Sequence, residues 1–229
     1  MQIEERITRV RERIAAACQR AGRRPDDVKL VTVTKTVPSD RIRLAYESGL
    51  RDFGENRVQE AAAKRPALSD LTVTWHLIGH LQTNKAKRAR ELFQWVHSVD
   101  SFHLAQKLDQ AAVSSGERLP VLLEVNLGGE AAKSGAHEDE VVQLAEQVGT
   151  LGTLELCGLM TIPPFFEDAE QTRPFFRRLR ELARTIDARG FPGVSMQQLS
   201  MGMSHDFEVA IEEGATVVRV GTAIFGARY

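Results

Sequence analysis

Two cations occupy positions where packing alone would not put them. Lys35 ends the apolar run Leu30-Val-Thr-Val-Thr34, and Arg219 stands inside Val217-Val-Arg-Val-Gly221. Taking either charge out of water is costly unless something compensates it. Two readings of Lys35 stand. Its ammonium has emerged into solvent in the loop before Pro38, or burial lowers its pKa and leaves a neutral amine able to attack an aldehyde. Period-two alternation puts Arg219 on the face of Val217 and Gly221, with Val218 and Val220 on the opposite face. An inward guanidinium needs an acceptor or an anion, so it implies either a structural carboxylate or a ligand.

Residues suited to phosphate lie in Ser200-Met-Gly-Met-Ser204 and Gly221-Thr222-Ala223. Gly202 and Gly221 permit close approach of oxygens to the backbone, and Ser200 and Thr222 offer hydroxyls. The same residue types build ordinary turns. Glu55 and Glu124 stand near other strand ends, where they bear on the charge of the site. Asn56 either faces a ligand or caps the next helix. His76 and His80 are four apart, but Gly79 and the strand-like residues before it argue against a helical metal pair. The basic stretch 85–90 reads as a solvated helix face, Lys133-Ser-Gly135 as an anion contact or a turn, and the Phe pairs at 165–166 and 175–176 as packing.

These residues fall at the ends of a repeating pattern. Strand-like runs occur at Lys29–Lys35, Asp52–Glu55, Thr74–Gly79, Trp95–Val99, Leu119–Leu127, Leu154–Met160, Met196–Met201 and Val217–Gly221. Helix-like segments cover 39–49, 56–65, 84–93, 101–115, 137–149, 168–189 and 204–213, after an N-terminal helix with Ile3, Ile7, Val10, Ile14 and Cys18 on one stripe. Ser39-Asp40, Asn84, Ser101 and Ser204 are candidate N-caps. Strict alternation predicts a parallel sheet covered by helices, and eight repeats predict a closed α/β barrel, a single (β/α)8 TIM-type domain over 1–229. An open doubly wound sheet is the competing architecture. In a barrel the last strand lies beside the first, so Arg219 and Lys35 line neighbouring strands at the mouth where ligands bind.

The composition narrows the function classes. Thirty basic and thirty-one acidic side chains leave a formal charge of −1, which gives no electrostatic case for nucleic acid or an anionic membrane. The charged start and the absence of a long apolar run predict neither signal peptide nor membrane span. Cys18 and Cys157 read as buried thiols, and the expected compartment is the cytoplasm.

Together these motifs resemble the pyridoxal phosphate homeostasis protein family, related to the N-terminal barrel of alanine racemase. The matching stretches are Val31-Thr-Val-Thr-Lys-Thr36, Phe53-Gly-Glu-Asn-Arg-Val-Gln-Glu60, Trp75-His-Leu-Ile-Gly79, Leu81-Gln-Thr-Asn-Lys85, Gly158-Leu-Met160, Leu199-Ser-Met-Gly-Met-Ser204 with Asp206, and Val218-Arg-Val-Gly-Thr222 with Phe225-Gly226. The resemblance implies pyridoxal 5′-phosphate held as a Schiff base on Lys35. It also implies that Ser200, Gly202, Gly221 and Thr222 hold the phosphate, that Arg219 faces the pyridine nitrogen, and that Asn56 joins the site. The chain departs from the family at His80, where proline is usual, beside the expected ligand mouth.

Two functions compete: a non-catalytic protein that stores or delivers the cofactor to apo-enzymes, and an amino-acid racemase. Arg219 keeps its proton at neutral pH, so a pyridine nitrogen facing it stays unprotonated, which weakens the cofactor as an electron sink. Racemisation also needs proton donors and acceptors on both faces of the α-carbon. In alanine racemase a tyrosine from an additional β-domain of the partner subunit serves the second face. Here the sequence ends at Tyr229 and its other tyrosine is Tyr46, so the expectation is a monomeric carrier without evident catalysis.

Overall fold

Parallel strands cannot be joined by tight hairpins, and the helices between them supply both the crossover and the cover for one sheet face. The computed structural model describes residues 2–111, 116–129 and 134–226. After α1 (Ile3–Arg20), strands and helices alternate as β1 (Lys29–Val33), α2 (Ser39–Glu47), β2 (Asp52–Glu55), α3 (Val58–Lys64), β3 (Thr74–Leu77), α4 (Ala86–Leu92), β4 (Trp95–Val99) and α5 (Phe102–Gln110). They continue as β5 (Leu119–Asn126), β6 (Ala136–His137), α6 (Glu138–Gly149), β7 (Leu154–Met160), α7 (Arg173–Asp187), β8 (Val194–Ser200), α8 (Phe207–Glu212), β9 (Val217–Val220) and α9 (Thr222–Phe225). All pairings are parallel, and the order β1-β2-β3-β4-β5-β7-β8-β9 closes by β9 pairing with β1. The expected eight-stranded barrel is present, and the open sheet is excluded. The two-residue β6, which the sequence pattern did not indicate, attaches to the end of β5.

Alternation sorts the strand residues into two layers. Val31, Val33, Ile78 and Val217 cluster inside the barrel, and so do Leu122, Cys157 and Met160. Val218 and Val220 belong to the larger core between strands and helices. Helix α1 buries Ile3, Ile7, Val10, Ile14 and Cys18, the stripe expected from its spacing, and lies against α2, α8 and α9. Cys18 and Cys157 are buried free thiols. Among the described residues, no helix is long and apolar enough to cross a membrane.

Several boundaries differ for local reasons. The first strand stops at Val33, not Lys35, because Val37 N donates to Thr34 O in a turn that holds Thr36 at φ 61°. Ser101 caps α5 through Leu104 N, whereas Pro38, not Ser39, stands at the N-cap of α2. Asn84 lies inside a short 3-10 turn, and Asp206 precedes α8 in place of Ser204. Arg90 is not a solvated side chain: it is buried and donates to Glu117 O at 2.8 Å. Residues 112–115 of the expected fifth helix, together with Lys133 and Tyr229, lie outside the described residues.

The tightest approach at a glycine lies between β7 and β8. A Cβ added at Gly158 would lie 1.8 Å from the carbonyl oxygen of Gln198, at a register shift between these strands. A backbone oxygen cannot swing aside as a side chain does. Gly158→Ala is expected to cost more than ~3 kcal/mol, beyond ordinary overpacking. A chemical-denaturation midpoint equal to wild type would show that the strands are not locked at this distance.

Candidate functional site

Lys35 sits half-buried in the turn after β1, and that turn is pinned from both sides. The Lys64 ammonium donates to Thr34 O (2.6 Å), Glu55 Oε1 (2.8 Å) and Glu60 Oε1 (2.6 Å). Thr34 Oγ1 donates to the same Glu55 oxygen (2.6 Å), and Thr36 N donates to Glu60 Oε1. The backbone before and after Lys35 is thus tied to α3. Burial raises the Glu55 carboxyl, opposed by its hydrogen bonds to Lys64 and Thr34. Burial would raise Glu60 as well, but Lys64 and the Thr36 N–H outweigh it and hold the carboxyl below its ordinary range.

Lys35 shares a cleft of about 240 Å³ with Gly221, Thr222 and Arg41. Extension of the β1–β9 register brings Gly221 close to β1, and a Cβ there would meet Val33 Cβ at 3.2 Å and Val33 O at 3.3 Å. Beside the cleft, Gly221 N and Ala223 N both donate to Ser204 Oγ at 3.2 Å. Two backbone donors therefore converge on one oxygen position, next to the exposed Thr222 hydroxyl. Arg41 donates to Phe225 O at 2.7 Å and holds its guanidinium at the cleft wall.

Arg219 lies deeper, in register with Val31, and points inward as alternation requires. It is 2% exposed. Its Nη1 donates to Ser200 Oγ (2.7 Å), its Nη2 to Thr161 O (2.9 Å) and its backbone N to Gly202 O (3.0 Å). Burial pulls its pKa down to about 10, while Asp206 and Glu124 pull it up, so the group stays charged at neutral pH. Ser200 is also 2.9 Å from His97 Nδ1, and His97 Nε2 is 3.0 Å from His76 Nδ1. Burial lowers the pKa of both imidazoles.

The expected site residues therefore separate into three groups. Lys35, Gly221 and Thr222 share one cleft. Ser200, Gly202 and Arg219 form the layer beneath. Gly202 is packed hard against α8, since a Cβ there would meet Phe207 Cα at 2.8 Å. Asn56 lines a different cleft with Arg57, Gln59, His80, Gln82 and Lys85, its backbone against Gly79. His80 Nδ1 is 3.3 Å from Asp100 Oδ2.

Sequence reasoning missed the positioning roles of Lys64 and Glu60, the place of Ser204 beside Gly221, Arg41, and the buried pair His76 and His97. The pair did leave a signal. Each histidine sits inside an apolar run on consecutive strands, with inward parity.

Comparison with known proteins gives a consistent picture. The family described as alanine racemase, N-terminal domain, matches residues 6–229. The chain is similar to the pyridoxal phosphate homeostasis protein of Aquifex aeolicus (strain VF5), 48% identical over 224 residues, covering 98% of this chain and 97% of the relative. The protein of that name from Escherichia coli (strain K12) is 41% identical over 234 residues, covering 99% and 97%. Among solved structures, PipY of Synechococcus elongatus PCC7942 with PLP bound is 40% identical at a TM-score of 0.86, covering 98% of this chain and all (100%) of that one. An alanine racemase from Clostridium difficile 630, 19% identical with a TM-score of 0.70 over 95% of this chain and 55% of its own, shares the fold.

Glu124 gives the site a measurable pH signature. Burial first, and Asp100 second, push its carboxyl from the ordinary 4.5 up to about 7, against the pull of Arg219. A carboxyl raised on folding stabilises the native state below its unfolded pKa, and that contribution is lost as pH rises through the folded value. Glu124→Gln should match wild type at pH 4 and exceed it by up to about 3 kcal/mol above pH 8. Equal stability of the two proteins across this range would show an ordinary carboxylate.

Proposed function

This chain belongs to the alanine racemase N-terminal domain family, and from that premise we propose that it binds pyridoxal 5′-phosphate covalently on Lys35 and serves to hold and deliver that cofactor. The observation that carries the reading is the cleft in which Lys35 faces Gly221 and Thr222. Its donor set fits the group. The N–H groups of Gly221 and Ala223 already converge on the Ser204 oxygen, the geometry that backbone donors use for phosphate oxygens. Arg41 supplies a cation at the wall, and Gly221 leaves room that a side chain would fill.

When bound, the cofactor supplies an aldehyde that condenses with an amine, with loss of water. This chain's residues do the rest. Lys64 and Glu60 hold the backbone on both sides of Lys35, so the amine is presented from a fixed turn. Ser204, Gly221, Ala223 and Thr222 would bind the phosphate. Arg219, which can only donate, would face the ring nitrogen and leave it unprotonated, which would weaken electron withdrawal by the ring. Gly202 and Ser200 support Arg219 from below, and Asn56 borders a separate cleft.

One observation favours the racemase reading: Glu124, with a pKa of about 7, is tuned as a general acid or base would be. Racemisation needs one group on each face, of which Lys35 itself would be one, and Glu124 is not among the residues that line the Lys35 cleft. Tyr46 does not supply the second, because its ring is covered by the Arg51 guanidinium at 3.9 Å, on α2. The cofactor-holding reading therefore stands, with apo-enzymes that need pyridoxal phosphate as recipients and the barrel acting as a monomer.

Purified protein mixed with pyridoxal phosphate should turn yellow, and borohydride should fix the label on Lys35. Lys35→Ala should stay colourless after reduction and dialysis; a label retained elsewhere with none on Lys35 sinks the assignment. Arg219→Glu should weaken retention or move the visible band, and an unchanged spectrum would place Arg219 away from the ring. Racemase, transaminase or decarboxylase turnover by loaded protein, abolished in Lys35→Ala, would overturn the carrier role.

A further inference from the structure

A continuous line of hydrogen bonds crosses the barrel interior from Arg219 to the opposite end. It runs from Arg219 Nη1 to Ser200 Oγ (2.7 Å), His97 Nδ1 (2.9 Å), His97 Nε2 to His76 Nδ1 (3.0 Å), and His76 Nε2 to Asp52 Oδ1 (2.9 Å). Lys29 Nζ closes it on the same Asp52 oxygen at 3.0 Å. Asp52 begins β2 and Lys29 begins β1, so both stand at the end of the barrel away from the Lys35 turn. Ser200, His97 and His76 are at most 1% exposed, and Trp95 stacks on His76 with ring centroids 5.9 Å apart.

The chemistry of the ends fixes every proton between them. A carboxylate can only accept, so His76 Nε2 carries a proton. Both imidazoles are held neutral by burial, so His76 Nδ1 is bare and must accept from His97 Nε2–H. His97 Nδ1 is then bare and accepts from the Ser200 hydroxyl. Ser200 is left with lone pairs for Arg219, which can only donate.

We propose that Asp52 is the positioning residue that sets the tautomer of both buried histidines and, through them, points the Ser200 proton away from the mouth so that Arg219 is held by an acceptor alone. The line lets a residue at the closed end govern hydrogen bonding at the ligand end without touching the ligand. Its effect on cofactor rests on the function proposed above; its effect on the rings does not.

Asp52→Ala tests this by removing the acceptor at a half-buried strand start. His76 Nε2 then has no carboxylate to donate to, and both rings should leave the single Nε2–H state, freeing the Ser200 proton. Asp52→Asn is the control: Lys29 and His76 share one Asp52 oxygen, and an amide oxygen there accepts from both and keeps the wild-type tautomers. Long-range proton–nitrogen NMR of the imidazoles in cofactor-free protein reads this directly. Wild type should show His76 and His97 neutral and protonated on Nε2. A charged His76, any Nδ1–H ring in wild type, or unchanged rings in Asp52→Ala would overturn the proposal. With added pyridoxal phosphate, Asp52→Ala should release cofactor about tenfold faster or shift its visible band, the scale of one altered hydrogen bond to a charged group. Switched rings with wild-type band and release would remove Arg219 from the line of action. A wild-type protein that binds no pyridoxal phosphate would defeat the functional reading, while the ring spectra still decide the tautomers.

Discussion

A guanidinium sealed inside a barrel must find an acceptor for its donors or exact a large desolvation cost, and the polar interior here is arranged around that of Arg219. A parallel barrel offers few free acceptors, because ladder carbonyls are spent on neighbouring strands. Thr161 O, just past the end of β7, and Ser200 Oγ, at the end of β8, are what the geometry leaves. Ser200 can accept from Arg219 only while its own proton goes elsewhere, and His97 takes it. The demand then passes to His76 and finally to Asp52, where the carboxylate meets Lys29 near solvent. Apolar clusters at Val31, Val33, Ile78 and Val217, and at Leu122, Cys157 and Met160, fill other parts of the interior.

Lys35 is governed by a different constraint, its backbone. A side chain in a turn carries the mobility of that turn, and a binding amine has to be presented reproducibly. The Lys64 ammonium, 12% exposed, replaces the missing ladder bond at Thr34 O, and Glu60 does the same at Thr36 N. Helix α3 is therefore both cover for the sheet and a clamp on the loop after β1. Gly79, whose Cβ would lie 2.5 Å from Asn56 O, brings the next loop down on the same region.

The two constraints differ in how far the sequence reveals them. Strand–helix alternation survives in one dimension, so the barrel, its closure and the inward direction of Arg219 were legible. The Gly221-Thr222 contribution to the Lys35 cleft followed from closure placing β9 beside β1. The partners were less visible. Ser200 and His97 are 103 positions apart, and no local pattern says that their strands face each other across the barrel at that height. Thr34 and Lys35 read as strand because Thr and Lys alternate with valines up to them, and the turn that holds Thr36 left-handed ends the ladder at Val33. Ser204 looked like a helix cap because serine before an amphipathic stretch usually is one. The backbone of the neighbouring loop claimed its oxygen first.

The electrostatic balance of the mouth follows from these placements. Burial raises the carboxyls of Glu55, Glu124 and Asp206 above their ordinary range. The same burial lowers Arg219 only to about 10, so the guanidinium remains charged. Arg41 adds a second cation at the cleft wall. Low-dielectric walls strengthen the field of such charges. An anion entering the cleft thus meets the Arg41 cation and converging N–H groups. That balance suits retention of a phosphate-bearing ligand. The site's polar residues are committed to holding one another.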